Sequence, residues 1–314
     1  MKKEEEFINK IKDIYLDKSE EIIELQYKEP LKTFRVNTLK ASKDTVLLRL
    51  KQEGFKIISS KLDNSFIVLP SENLKKISES NEYLANEIYI QELSSMLPVI
   101  ALEAKENDNI LDLCAAPGSK TTQLAVQMNN KINIVAVEKA RNRFFKMREI
   151  IQNQGVENIK TILEDANYLP IKYKEFNKHF DKVLLDVPCS NEASIDLSHP
   201  STLKYWSKNE AKHISKLQKG LINTAIKMLC PGGTLVYSTC TYSVEENELV
   251  LDWILSRNTS LKVEKINLNL KNIMPGIISW KGKPLNKQIS NSIRVLPDGY
   301  FKGFFLAKIK YLNR

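Results

Sequence analysis

The chain is poor in sulfur and imidazole. Only four cysteines (Cys114, Cys189, Cys230 and Cys240) and three histidines occur in 314 residues. The cysteines form no Cys-x-x-Cys pair and no metal-ligand spacing, so no structural zinc or other metal is expected, and a disulfide framework does not suit an intracellular chain of this size. No apolar run approaches the ~20 residues that a membrane span needs. The N-terminus, MKKEEEFINK, is acidic and carries no apolar segment of the secretory kind. These absences predict a soluble cytoplasmic protein, without membrane or metal partners and monomeric.

What is present is ample apolar content and uneven charge. With 42% hydrophobic residues, the chain can bury a full core and hold one large domain plus a small one. The net charge of +9 concentrates in two stretches. Residues 30–61 hold eight Lys/Arg against two acids, and residues 257–314 hold twelve against two. The first 29 residues carry nine acids against six basic residues, and the middle of the chain is mildly acidic. Solvated lysines are the plain reading of such flanks. Two basic flanks gripping a phosphate backbone are the sharper one.

The stretch Asn109–Thr122, NILDLCAAPGSKTT, organises the rest. Ile110–Cys114 has the length of a buried strand, Pro117 and Gly118 break the pattern, and Ser119 suits the N-cap of a helix over Lys120–Met128. Such a turn aims backbone N–H groups at a ligand above the sheet. The spacing does not match a phosphate-binding P-loop, and one glycine does not make a dinucleotide fingerprint. Ile132–Val137 reads as the next strand, and Glu138 directly after it is placed to accept both hydroxyls of a ribose. That arrangement suits the adenosyl group of S-adenosylmethionine.

Along the chain, Glu5–Tyr27 reads as one amphipathic helix closed by Pro30. Thr33–Asn37, Phe55–Ile58 and Ser65–Leu69 read as strands, with a helix at Thr45–Gln52. These predict a small N-terminal α+β module over residues 1–85, followed by a catalytic domain over 86–314. After helix Glu92–Ala104, strands at Ile110, Ile132, Ile159–Leu163, Lys182–Asp186 and Thr234–Ser238 alternate with helices at Asn142–Asn153, Lys208–Leu229 and Val244–Leu255. Leu261–Leu268 and Gly303–Tyr311 read as a closing strand pair around a basic insertion. The alternation predicts an α/β, doubly wound, mostly parallel sheet.

In open sheets of this kind ligands bind beyond the carboxyl ends of the strands. The residues there are Cys114–Lys120, Glu138, Asp165, the run Asp186-Val187-Pro188-Cys189-Ser190, and the run Ser238-Thr239-Cys240-Thr241. Cys189 and Cys240 follow two strands that should be neighbours, so both thiols can converge on one cleft. Carbon 5 of a pyrimidine is too weak a nucleophile to take a methyl group from a sulfonium unaided. A thiolate adding to carbon 6 makes it one, an acid at ring nitrogen 3 draws off charge, and a base then removes the carbon 5 proton. Cys230, in MLCPGG, reads as a packing residue.

LDLCAAPGSKTT, LLDVPCS and YSTCTYSVEENE together resemble the motifs of the RsmB/Nop2/Sun RNA cytosine-5 methyltransferases. TFRVNTLK at 33–40, YIQELSSMLP at 89–98 and IRVLPDGYFKGFF at 293–305 are similar to other parts of that family, so the resemblance covers most of the chain. It implies a seven-stranded Rossmann-like class I methyltransferase fold and S-adenosyl-L-methionine as cofactor. By position, Cys240 would be the nucleophile and Cys189 would assist release of the adduct. Asp186 would contact the cytosine and border the cofactor, and Lys120 would face Asp186. Cys114, Ala115, Ala116, Pro117, Gly118, Ser119 and Lys120 would hold the methionine and ribose end of the cofactor, Glu138 the ribose hydroxyls, and Asp165 the adenine amino group. Arg35, Asn37 and the basic insertion would touch RNA.

The chain departs from the family pattern twice. Asn191-Glu192-Ala193 stands where Gly-x-Gly commonly follows Pro-Cys-Ser, and Lys302 stands where an acid usually precedes Gly-Phe-Phe. No appended RNA-binding domain fits in the remaining residues. The expected substrate is a structured RNA, tRNA or rRNA, with the target cytosine unpaired or flipped out. The rival readings are a DNA cytosine-5 methyltransferase, which would use the Cys of Pro-Cys as nucleophile, a non-catalytic RNA-binding assembly factor, and a dithiol redox switch.

Overall fold

The structure, a computed structural model, describes residues 2–29, 31–70 and 76–312. Pro30, expected to close the first helix, lies outside the described residues. That helix is two, Lys2–Tyr15 and Ser19–Leu25. They are separated by a short turn in which Leu16 adopts a positive φ of 50°. The bend lets both pieces keep an apolar face on one surface.

The strands of the small sheet are β1 (Thr33–Val36), β2 (Ile57–Ser59), β3 (Ser65–Val68) and β4 (Ile88–Ile90). They pair antiparallel in the order β2-β3-β1-β4. The helix Lys43–Gln52 packs Val46 and Leu50 onto Phe34, Val36 and Phe66. The first two helices do not join this core. Phe7, Ile11, Ile14, Tyr15 and Ile22 instead pack on Ala193, Ile195, Leu203, Trp206 and Tyr242 of the large domain. Residues 2–25 therefore pack as a strap across the large domain and not onto the small sheet.

The large sheet contains β5 (Asn109–Asp112), β6 (Asn133–Glu138), β7 (Ile159–Leu163), β8 (Phe180–Asp186) and β9 (Leu229–Thr239). It continues with β10 (Leu261–Glu264) and β11 (Ile273–Pro275), and, after a separate two-stranded ribbon of β12 (Ser279–Trp280) and β13 (Lys283–Pro284), β14 (Ile293–Val295) and β15 (Phe304–Tyr311). The order is β11-β14-β15-β9-β8-β5-β6-β7, with β10 on β15. Strands β5 to β9 pair in parallel, and β15, β10, β14 and β11 each pair antiparallel with their neighbours. The sheet thus has nine strands rather than seven, because the segment expected as a basic insertion adds β11 and β14 at its edge. Leu111, Val183, Leu235 and Phe305 face helices on one side, and Ile110, Leu184, Val236 and Leu306 face helices on the other. Period-2 burial on both faces is what the near-continuous apolar strands dictate.

Chain reversal falls between β5 and β8, which lie side by side with their crossover helices on opposite sheet faces. The carboxyl ends of β5, β6, β7, β8 and β9 therefore open onto one crevice.

Candidate active site

The loop after β5 is pinned to both neighbouring strands. Leu113 N–H donates to Leu184 O at 3.1 Å, and Ala115 N–H donates to Val137 O at 3.0 Å. Gly118, at φ 101°, then reverses the chain, and a Cβ there would stand 3.3 Å from Met147 Cγ. This conformation and crowding favour glycine. Gly118, rather than Ser119, is the N-cap, and the helix runs Ser119–Gln127.

That helix places Lys120 inward. Its ammonium donates to Asp186 Oδ2 at 2.6 Å and to Ser95 Oγ at 2.8 Å. Asp186, the last residue of β8, accepts a second bond at Oδ1 from Ser238 Oγ, 2.6 Å away on β9. The expected pairing of Lys120 with Asp186 is present. Asp112, one strand over and buried, accepts from Thr121 Oγ1 at 2.7 Å, and burial pushes its carboxyl up to about 7.

A cleft of about 250 Å³ runs along the strand ends. Cys114, Ala116, Glu138, Asp165, Asp186, Cys189 and Cys240 all line it. At one end Glu138 Oε1 accepts the Ala140 N–H at 2.8 Å, and Arg143 lies 3.5 Å from Oε2 while donating to Ala116 O at 2.6 Å. Asp165 caps the turn that follows it, accepting from Asn167 N–H at 3.0 Å. Leu113, Ala166, Val187, Leu217 and Leu221 supply apolar walls between these acids. Carboxylates flanking an apolar slot suit a flat heterocycle carrying ribose hydroxyls and an exocyclic amine, so the residues fit the adenosyl group of S-adenosylmethionine. Ala115, Gly118 and Ser119 shape the loop from behind, and Pro117 is exposed. Cys114 is half-buried at the cleft wall, and desolvation there pushes its thiol well above the ordinary range.

At the other end the Cys189 and Cys240 sulfurs are 3.2 Å apart. The Cys240 thiol donates to Asn191 Oδ1 at 3.0 Å. Its proton being committed there, Cys189 is the donor between the two sulfurs. The hydrogen bond to Cys240, and after it burial, push the Cys189 thiol well up. The two tips are stitched together by Glu246, which accepts from Ser190 N–H at 2.9 Å and Gln218 Nε2 at 3.1 Å. Ser190 Oγ and Thr241 Oγ1 meet at 2.7 Å. Burial raises the Glu246 carboxyl, and the Ser190 bonds oppose that.

Arg35 and Asn37 are corrected. Both were expected on RNA, yet they are 3% and 0% exposed. Arg35 donates to Gln91 Oε1 at 2.9 Å and Thr122 Oγ1 at 2.7 Å, and lies over Tyr89. Asn37 donates to Gln154 O at 2.9 Å. They dock the small sheet on the large domain. Of the basic C-terminal flank, Arg294 is buried against Glu248 and Lys308 pairs with Glu103, so neither is free for phosphate. Lys302, the other departure from the motif, pairs with Glu92 at 2.5 Å. Asn191, Arg143 and Glu246 are not assigned a site role by the sequence, and Ser238 enters only through the run at the tip of β9. Glu246 lies within the VEENE run, and its only signal was membership of that motif.

Residues 99–310 match the family described as 16S rRNA methyltransferase RsmB/F, and residues 5–73 match the ferredoxin-like domain of RsmF/B-like methyltransferases. The chain is 37% identical over 298 residues to the tRNA (cytosine(49)-C(5))-methyltransferase of Pyrococcus abyssi, covering 94% of this chain and 93% of that protein. It is 36% identical over 286 residues to the ribosomal RNA small subunit methyltransferase F of Escherichia coli, covering 89% of this chain but 57% of that protein. Among solved structures, a methyltransferase homologue from Pyrococcus horikoshii superimposes with a TM-score of 0.82 at 33% identity, covering 97% and 94% of the two chains. NSun6 from Pyrococcus horikoshii, solved with SFG, an S-adenosylmethionine analogue, superimposes with a TM-score of 0.79 at 26% identity, each chain covered to 98%. Among the described residues no helix is long and apolar enough to cross a membrane, and no cluster of three His, Cys, Asp or Glu is placed to hold a metal.

Proposed function

The chain belongs to the RsmB/F family of S-adenosylmethionine-dependent RNA methyltransferases, and on that premise we propose that it methylates carbon 5 of an unpaired cytosine in tRNA or rRNA through a covalent bond to Cys240. The observation that carries the proposal is the pair of sulfurs 3.2 Å apart in the cleft that also holds Asp186 and Glu138. S-adenosylmethionine, held by Glu138, Asp165 and the 114–120 loop, supplies an electrophilic methyl group.

The rest is done by the chain. Cys189 remains protonated, because its hydrogen bond to Cys240 and its burial both oppose ionisation. Cys240 is then the sulfur that gives up its proton, to solvent in the open cleft, and adds to carbon 6, moving the C5–C6 π pair onto carbon 5 and the N3 side of the ring. Asp186 borders that side of the ring, and Lys120 fixes the carboxyl group. Once carbon 5 carries the methyl group, loss of its proton to a base reforms the double bond and the C6–S bond breaks. The Cys189 S–H hydrogen-bonds the departing thiolate and favours its release.

Exposed lysines at 32, 40, 43, 51, 56 and 61 on the small module, and at 271, 281, 283 and 287 on the β11–β14 segment, offer a phosphate-binding surface. The Pyrococcus abyssi relative, similar along 93% of its own length, is named for tRNA, which supports tRNA as a substrate. A monomer acting in the cytoplasm fits these features. The test is incubation with labelled methyl donor and total RNA lacking this activity, followed by mapping of 5-methylcytosine. New 5-methylcytosines in tRNA or rRNA are expected, and the absence of any contradicts the proposal.

A further inference from the structure

The run Asn191-Glu192-Ala193 has taken on specific contacts around the nucleophile. Asn191 adopts a φ of 53°, the left-handed region that glycine occupies freely and asparagine tolerates better than other residues. The turn is thereby kept while a side chain is gained, and that side chain reaches the reacting sulfur: Asn191 Oδ1 accepts the Cys240 S–H at 3.0 Å. Its neighbours hold it there. Glu192 pairs with Lys10 of the first helix at 2.5 Å and accepts from Trp206 Nε1 at 2.8 Å, while Ala193 N–H donates to Cys240 O at 3.1 Å.

Resting on the reading of Cys240 as nucleophile, we propose that Asn191 is a catalytic residue that orients this sulfur, its amide oxygen holding the thiol and, after a half-turn of the amide, its N–H groups holding the thiolate. In the resting state the Cys240 S–H points at Asn191 and one sulfur lone pair accepts from Cys189, which leaves the other lone pair available in the cleft that both cysteines line. An amide takes no proton at neutral pH, so the thiol proton leaves to solvent in the cleft and Asn191 only fixes direction. The same side chain lines the cleft beside Cys189. The charged and titratable groups around Cys240 are Cys189 at the neighbouring tip, Asp186 with its Lys120 partner in the cleft, and Glu192 and Glu246 behind the two loops.

Two variants test this without disturbing the turn. Asn191→Gly suits the backbone, and Asn191→Asp keeps the shape but places a negative charge against the sulfur. Iodoacetamide labelling of the Cys240 peptide is followed against pH by mass spectrometry, with no RNA present. The aspartate variant is expected to need a pH higher by about one unit for half-maximal labelling, since a like charge opposes thiolate formation. Adduct formation on RNA containing 5-fluorocytosine is measured in parallel. The glycine variant is expected to form it about tenfold more slowly at saturating RNA, with RNA affinity unchanged. A labelling profile for the aspartate variant that superimposes on the parent's, or parent-rate adduct formation by the glycine variant, overturns the assignment. If the parent forms no adduct, the functional reading fails, while the labelling comparison still decides the role of Asn191.

Discussion

Replacing Lys10 by methionine isolates a carboxylate. Glu192 is 1% exposed and its ion-pair partner Lys10 12%, with 2.5 Å between charged atoms. Removing one member of such a pair leaves a buried charge, which in general destabilises by ~3–5 kcal/mol. Here Glu192 keeps hydrogen bonds from Trp206 Nε1 at 2.8 Å and Thr241 Oγ1 at 3.0 Å. The expected loss is therefore at the lower end, about 3 kcal/mol, or a fall in Tm of roughly 6 °C for a chain of this size. Glu192→Gln in the Lys10→Met background restores much of it, because the neutral amide's oxygen still accepts from Trp206 Nε1 while its NH2 donates to the Thr241 hydroxyl, and no buried charge remains. The coupling energy from the four-protein cycle is then about 2 kcal/mol. Urea melts of the parent, both single variants and the double variant measure it. Single effects below about 0.5 kcal/mol that simply add would refute the reasoning that this pair straps the first helix to the cysteine loops.

Three further outcomes are expected. Arg35→Met lowers stability by about 2 kcal/mol, through lost buried hydrogen bonds to Gln91 and Thr122, and leaves the salt dependence of RNA affinity unchanged; a salt slope reduced by one would restore Arg35 to the RNA surface. Glu138→Ala weakens S-adenosylmethionine binding about tenfold or more by calorimetry with RNA affinity intact, and equal loss of both would indicate a misfolded cleft. Asp112 is held neutral to about 7, above its ordinary 3.8, so its contribution is complete below about pH 4 and is lost as pH rises toward 7. Asp112→Asn should flatten the decline in Tm over that interval, and parallel Tm–pH curves for parent and variant would contradict it.

The strand tips were legible because each lies at a sharp change from an apolar run to polar or turn residues. Ile159–Leu163 matches its expected bounds, and Asp186 and Glu138 end their strands where that change occurs. What the pattern does not carry is which surface a residue is buried against. Glu5–Tyr27 has helical periodicity throughout, and nothing at Leu16 announces a positive φ; tertiary packing on Trp206 and Tyr242 imposes the break. Arg35 and Asn37 look like surface polar residues in a basic stretch, and only the docking of the small sheet, Arg35 against the helix Ser119–Gln127 and Asn37 against Gln154, buries them. Local charge counts share this blindness, since Arg294 and Lys308 add to a basic flank while being paired within the large domain. At 191–193 the missing glycines were visible, but the hydrogen bond from Cys240 depends on two loops meeting from β8 and β9, which spacing along the chain does not show.

The most direct test of the central claim is covalent capture of substrate. With RNA in which the target cytosine carries fluorine at carbon 5, the proton that must leave is absent and the adduct persists. The parent protein and Cys189→Ser are predicted to form an adduct resolved by denaturing electrophoresis, mapped to the Cys240 peptide, and Cys240→Ser is predicted to form none. An adduct that survives Cys240→Ser and disappears with Cys189→Ser would contradict the account.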